Sequence, residues 1–233
     1  MKKPEDATFL IIGVGGLGAP LVMALAAAGA GRLVLVDDDV VELSNLQRQV
    51  LFGTADVGRP KVDAARDALR RHGVCRRRVE PVRARFAEDT ARALLHDADV
   101  VCDGSDSLPT KFFTNDVATA LGRPFVIGGV VETRGHVFPV RPGREACYRC
   151  LFEEPPAEEL LTCSSAGVLG ATCGEAAALM ARAAWTLAGG ADPEGVVGRM
   201  WILDGDARRS LVLRPRAGCP ACSTIEQELT CPS

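Results

Sequence analysis

The sequence predicts an α/β fold, doubly wound around a mainly parallel sheet, with antiparallel strands late in the chain. Three observations carry this. Residues 8–37 read as strand, glycine turn, helix and strand, a unit of about thirty residues that implies a parallel pair with a crossover. Short buried apolar runs then alternate with helix-period segments through most of the chain. Two C-x-x-C pairs, Cys147/Cys150 and Cys219/Cys222, lie sixty-eight residues apart and offer a metal staple for the later strands. The expectation is therefore a Rossmann-like sheet with a structural zinc site.

The chain has 233 residues, enough for one full core and too few for two comfortable domains. We expect a single domain over 1–233, with a nucleotide-binding part over about 8–130 and a partner- and zinc-binding part over about 131–233. The run "TFLII" predicts a buried strand. Residues 16–29 place Leu17, Leu21, Ala24, Leu25 and Ala28 on one helical face, and Gly29 and Gly31 end it. "RLVLVDDD" predicts a second buried strand. A helix follows over 61–72, with Val62, Ala65 and Leu69 on one face, then a strand over "VEPVRARF". A short helix (89–96), a strand in "ADVVCDGSD", a helix (110–121) and strands in "PFVIGGVVE" and "RGHVFPV" come next. "EEPPAEELLTCSSAG" reads as a long loop. Residues 169–188 form an alanine-rich helix, apolar on most sides and so largely buried. "GRMWILDGD" and "RSLVLRP" predict a closing hairpin.

The glycines of "GVGGLG" fit G-x-G-x-x-G: Gly13, Gly15 and Gly18, with Gly16 between. One makes the tight turn, one admits a phosphate to the backbone, and one lets helix and strand pack closely. The helix N-terminus offers unpaired N–H groups to an anion. Asp37 ends the next strand, where a carboxylate is expected to bind a ribose hydroxyl. This turn suits a dinucleotide or a nucleoside triphosphate. A triphosphate carries more exposed charge and usually needs cations and a metal, which Arg48, Lys61 and Asp106 can supply.

Taken in order, "GVGGLG", "DDDVVELSNLQRQ", "RPK", "CYRC", "TCSSAGV" and "GCPAC" resemble the ThiF/MoeB/HesA family of ubiquitin-activating-type adenylyltransferases, on the ThiF-like side. The resemblance runs from about residue 8 to 222. It implies an enzyme that uses ATP and Mg2+ to join AMP to the C-terminal Gly-Gly carboxylate of a small ubiquitin-like sulfur carrier, releasing pyrophosphate. It implies Asp37 on the ribose, Asp39 and Asn45 framing the nucleotide, Arg48 and Lys61 on the phosphates, and Asp106 on magnesium. Asp103 is instead expected to be structural. Cys163 stands where the family carries a cysteine that can join the carrier through sulfur. A homodimer and a sulfur-donor protein are implied partners. Three departures are visible. Ser107 replaces the usual Asn after the magnesium aspartate, and Lys111 replaces a usual Arg. The family's N-terminal segment, whose "R-Y-x-R-Q"-like arginine reaches a neighbouring subunit's ATP site, has no counterpart before the first strand.

The four paired cysteines are expected to hold Zn2+ without an open position. A redox role is disfavoured because neither pair is expected to open a helix after a strand. Net charge is −3, which gives no argument for nucleic acid or an anionic membrane. No apolar run approaches the roughly 18 residues of a membrane span. The start "MKKPEDATF" lacks an apolar signal-peptide core, so the expected location is cytoplasmic. Three other readings stay open: a subunit needing a partner chain, activation of a peptide or natural-product precursor carboxylate, and an NAD-dependent oxidoreductase.

Overall fold

The computed structural model describes residues 2–154 and 167–222. Its strands are β1 (Thr8–Ile12), β2 (Arg32–Val36), β3 (Val79–Val82), β4 (Val100–Asp103), β5 (Phe125–Val131), β6 (Arg134–Val140), β7 (Met200–Asp204) and β8 (Ala207–Leu211). The described helices are α1 (Gly18–Ala27), α2 (Lys61–Arg71), α3 (Glu88–His96), α4 (Leu108–Ala120), α5 (Tyr148–Leu151) and α6 (Gly170–Leu187). The strands form one eight-stranded sheet in the order β3-β2-β1-β4-β5-β6-β7-β8. Pairing is parallel from β3 to β5 and antiparallel from β5 to β8.

Every residue of β1 is buried, as a strand covered on both faces requires. Phe9 and Ile11 point to the side packed by α1, α2 and α6, joining Leu21, Leu25, Val62, Leu69 and Met180. Leu10 and Ile12 point to the other side, with Leu95 of α3 and Phe112 of α4. Each such apolar side chain removed from water contributes about 1.5–3 kcal/mol. The two-sided cover is what makes the sheet doubly wound. None of the described helices is long and apolar enough to cross a membrane.

The expected strand over 79–86 ends early, at Val82. Three groups bend the chain away there. Ala84 N donates to Val82 O, Arg83 pairs with Asp63 of α2, and Phe86 turns into the core beside Phe113. The last strand also sits earlier than expected, over 207–211, in register with β7 through Asp204↔Ala207. Sequence periodicity missed α5 and the 3-10 turns at Leu43–Asn45 and Thr54–Asp56. They are too short to show a period.

Candidate active site

The glycine turn follows β1. Gly13 has φ +80°, and a Cβ there would come within 3.0 Å of the Ser105 backbone. Gly18 opens α1, and a Cβ on it would lie 1.9 Å from Gly13 O. The turn therefore closes only with these two glycines. Gly15 is different: a Cβ on it would meet nothing nearer than Gln49 Nε2 at 3.6 Å.

Asp37, just past β2, is locked to this turn. Its Oδ2 accepts from Val14 N at 2.7 Å and its Oδ1 from Asp39 N at 2.9 Å. Burial raises its pKa above the usual carboxylate value, while Lys61 and the two backbone donors pull it back. Lys61 is buried and donates to Asp39 Oδ2 at 2.7 Å. Arg48 donates to Asn45 Oδ1 at 2.9 Å. All open onto one cleft of about 1650 Å³ at the carboxyl ends of the parallel strands. Its lining includes Gly13, Gly15, Gly16, Asp37, Asp39, Asn45, Arg48, Lys61 and Asp106. Gly18 is not part of that lining and serves the packing of α1. Cys163 lies outside the described residues.

Asp103 and Asp106 part company three residues apart. Asp103 is fully buried and accepts from Ser105 N at 2.9 Å and Ser105 Oγ at 2.6 Å. Asp106 is exposed in the cleft. Lys111 is also buried: its Nζ donates to Ser105 O at 2.6 Å and Gly128 O at 2.5 Å, and lies 3.8 Å from Asp103 Oδ1. It is a tie between the β4–α4 loop and β5.

The sequence reading missed His136. It faces Gly129 across β5 and β6, and a Cβ at 129 would lie 2.4 Å from its Cε1. Its ring stacks near Tyr148, at 6.2 Å between centroids, and its buried Nε2 has no hydrogen-bond partner. Burial, then the Lys111 charge, lowers its pKa to about 4. A lone histidine in a strand carries no signal of this; only the neighbouring "GG" hints at room for a ring.

The four paired cysteines converge. Their Sγ atoms lie within 4.8 Å of one another, with separations of 3.8 Å (147–150), 3.6 Å (147–219) and 3.6 Å (150–222). Thiolates around a tetrahedral zinc, at about 2.3 Å each, stand roughly 3.8 Å apart. The set therefore fits zinc. Cys147 caps α5 and Cys219 directly precedes helical residues 220–222, so both pairs open a helical turn, contrary to the sequence expectation. What distinguishes them from redox dithiols is that the second pair is brought against the first from seventy-two residues on.

A model of the ThiF family matches residues 1–224. The chain belongs to the ThiF family. This ThiF-family chain is 42% identical over 220 residues to the adenylyltransferase and sulfurtransferase MOCS3 of Sus scrofa, covering 93% of this chain and 48% of that protein. It is 38% identical over 230 residues to a sulfur carrier protein adenylyltransferase of Thermus thermophilus, covering 95% and 84%. The chain spans about half the length of the MOCS3 relatives it matches. Among solved structures, E. coli MccB with ATP superposes with a TM-score of 0.80 at 22% identity, covering 94% of this chain and 68% of that one. That likeness is one of fold.

Proposed function

We propose that this ThiF-family chain is an ATP-dependent adenylyltransferase. It activates the C-terminal Gly-Gly carboxylate of a small ubiquitin-like sulfur-carrier protein as an acyl-adenylate and releases pyrophosphate. One observation carries the reading: a single cleft holds the glycine turn, Asp37, Asn45, Arg48, Lys61 and Asp106, then continues past them along β5, β6 and β7 to Asp204. A nucleotide occupies the first part and leaves the second for a peptide tail.

The chemistry needs no base. A terminal carboxylate has a pKa of about 3.5 and is already ionised at neutral pH. Its oxygen attacks the α-phosphorus, the bond to the bridging β-phosphate oxygen breaks, and pyrophosphate leaves with the electron pair. The obstacle is anion meeting anion, so catalysis reduces to placement and positive charge. In this reading Gly13, Gly15 and Gly16 receive the phosphates, and Asp37 and Asp39 hold the ribose side. Asn45 orients Arg48, which with Lys61 neutralises the phosphates. Asp106 would hold Mg2+, which when bound spreads the charge of the phosphate oxygens. Cys147, Cys150, Cys219 and Cys222 would hold a structural Zn2+, fixing the part beyond about residue 131 that receives the carrier. A homodimer, a sulfur-donor protein and covalent capture by Cys163 belong to the same proposal.

ATP–pyrophosphate exchange by the purified chain, with and without a Gly-Gly-ending carrier, tests it. Carrier-dependent exchange is the expected result. Exchange supported only by a short peptide would move the activity to a peptide-precursor carboxylate, and NAD binding without ATP binding would refute both.

A further inference from the structure

Five lysine and arginine side chains line the cleft: Arg48, Lys61, Arg85, Lys111 and Arg134. Four are engaged within the protein. Arg48 is held by Asn45, Lys61 by Asp39, Lys111 by two carbonyls and Asp103, and Arg134 by Asp204 at 3.2 Å. Arg85 is exposed, and its guanidinium has no hydrogen-bond or carboxylate partner among the described residues. Its backbone, by contrast, is fixed on both sides. Arg85 O accepts from Thr90 Oγ1 at 3.0 Å, which in turn accepts from Ala87 N at 3.1 Å. Phe86 is buried with its ring 5.5 Å from that of Phe113, and Arg83 is paired with Asp63. A free guanidinium is thus presented to the cleft from a rigid base.

Its place in the sheet says what it meets. The strand order is β3-β2-β1. The glycine turn follows β1, Asp37 follows β2, and Arg85 follows β3. Adjacent strands stand about 4.8 Å apart, so the end of β3 lies roughly 10 Å to the side of the glycine turn, with Asp37 between, and Arg85 follows three residues beyond that end, lining the same cleft. A nucleotide whose phosphates rest on that turn and whose ribose reaches Asp37 carries its base over the end of β3.

We propose that Arg85 is the nucleobase-contact residue of this site, its planar guanidinium lying over the face of the purine ring. The inference rests on the nucleotide reading above. Arginine suits the task because its delocalised plane stacks on π-systems and is weakly hydrated, which an ammonium is not.

Calorimetric titration of the whole chain with ATP, adenosine and inorganic triphosphate tests it, using wild type, Arg85→Leu and Arg85→Lys. Arg85→Leu should weaken ATP and adenosine by a similar factor, roughly ten-fold, with inorganic triphosphate unchanged. Arg85→Lys should recover only a minor part. The side chain is exposed, so an unchanged thermal midpoint in both variants checks that the fold is kept. Unaltered ATP and adenosine affinity would overturn the proposal. So would a loss confined to ATP and triphosphate, which would place the guanidinium on the phosphates. Wild type that binds neither ATP nor adenosine would instead refute the nucleotide reading itself.

Discussion

Gly15 and Gly18 share one turn and answer to different demands. A methyl at Gly18 meets a backbone oxygen that cannot step aside, whereas a methyl at Gly15 has room. Gly18→Ala should therefore cost about 3 kcal/mol or more in urea denaturation. On the proposed nucleotide reading, Gly15→Ala should fold normally and lose ATP affinity, read by calorimetry, because that reading brings a phosphate to its Cα. Equal stability losses would contradict this division. His136 supplies a second test. Its pKa is held at about 4, below the usual 6.5, so the unfolded chain binds that proton more tightly than the folded one. The stability tied to the neutral ring is complete above about pH 6.5 and is lost as pH falls toward about 4. His136→Gln should flatten the decline of the thermal midpoint across that window. An unchanged decline would assign acid sensitivity to the carboxylates alone. At this scale the sequence was legible in placement: the glycine turn follows β1, Gly18 packs against it, and the aspartate ends up beside it after β2. Lys111 was not legible, because nothing in a lysine's spacing says that its ammonium turns inward to two carbonyls.

Among the elements, α6 carries the most of the core. It packs against α1, β5 and β6 and buries eleven of its eighteen residues. Its small side chains allow that closeness, and Met180 fills the space above Gly128 of β5. A Cβ at 128 would lie 2.2 Å from Met180 Sδ. Met180→Ala should cost about 2–5 kcal/mol through the cavity it leaves, and Gly128→Ala about 1–3 kcal/mol through overpacking. The double variant should lose clearly less than the sum, since each change accommodates the other. Strict additivity in denaturation midpoints would place the two apart. The run 169–188 announced this helix within one residue at each end, because a long periodic segment outvotes local noise. The run 79–86 misled at its end: Arg83, Arg85 and Phe86 keep a strand-like pattern while a local turn at Ala84 and two tertiary contacts, Arg83 with Asp63 and Phe86 with Phe113, bend the chain.

At the scale of the molecule, the cysteine cluster ties α5 to the segment after β8. Without a cation, the hydrogen bond with Cys222 and burial keep the Cys147 thiol from ionising, and burial does the same at Cys150. A divalent metal reverses that balance. We expect one zinc per chain by elemental analysis, and a lower thermal midpoint after chelation that returned zinc restores. Cys219→Ser should reproduce the chelated state, and a metal-free protein of unchanged midpoint would leave the cluster without this role. The meeting of the four cysteines was expected from the two pairs together with the family resemblance, because thiol pairs are rare enough to be informative. The shared cleft was not, since it depends on loops from distant strands meeting at one edge of the sheet.

The strand order also bears on how the chain acquires its shape. β1 lies inside the sheet, and its second neighbour is β4, whose Val100 pairs with Phe9 some ninety residues later. β1, β2 and β3 all precede β4 in the chain, so until β4 is made one edge of β1, a strand apolar but for Thr8, has no partner. Until β4 arrives that edge offers a sticky template to any other nascent strand. From β4 onward each strand docks beside its predecessor, with some sixty residues and the long helix α6 between β6 and β7. The pairing of β4 with β1 is thus the longest-range strand pairing among the described residues, and a lesion that delays it leaves that edge open for longest.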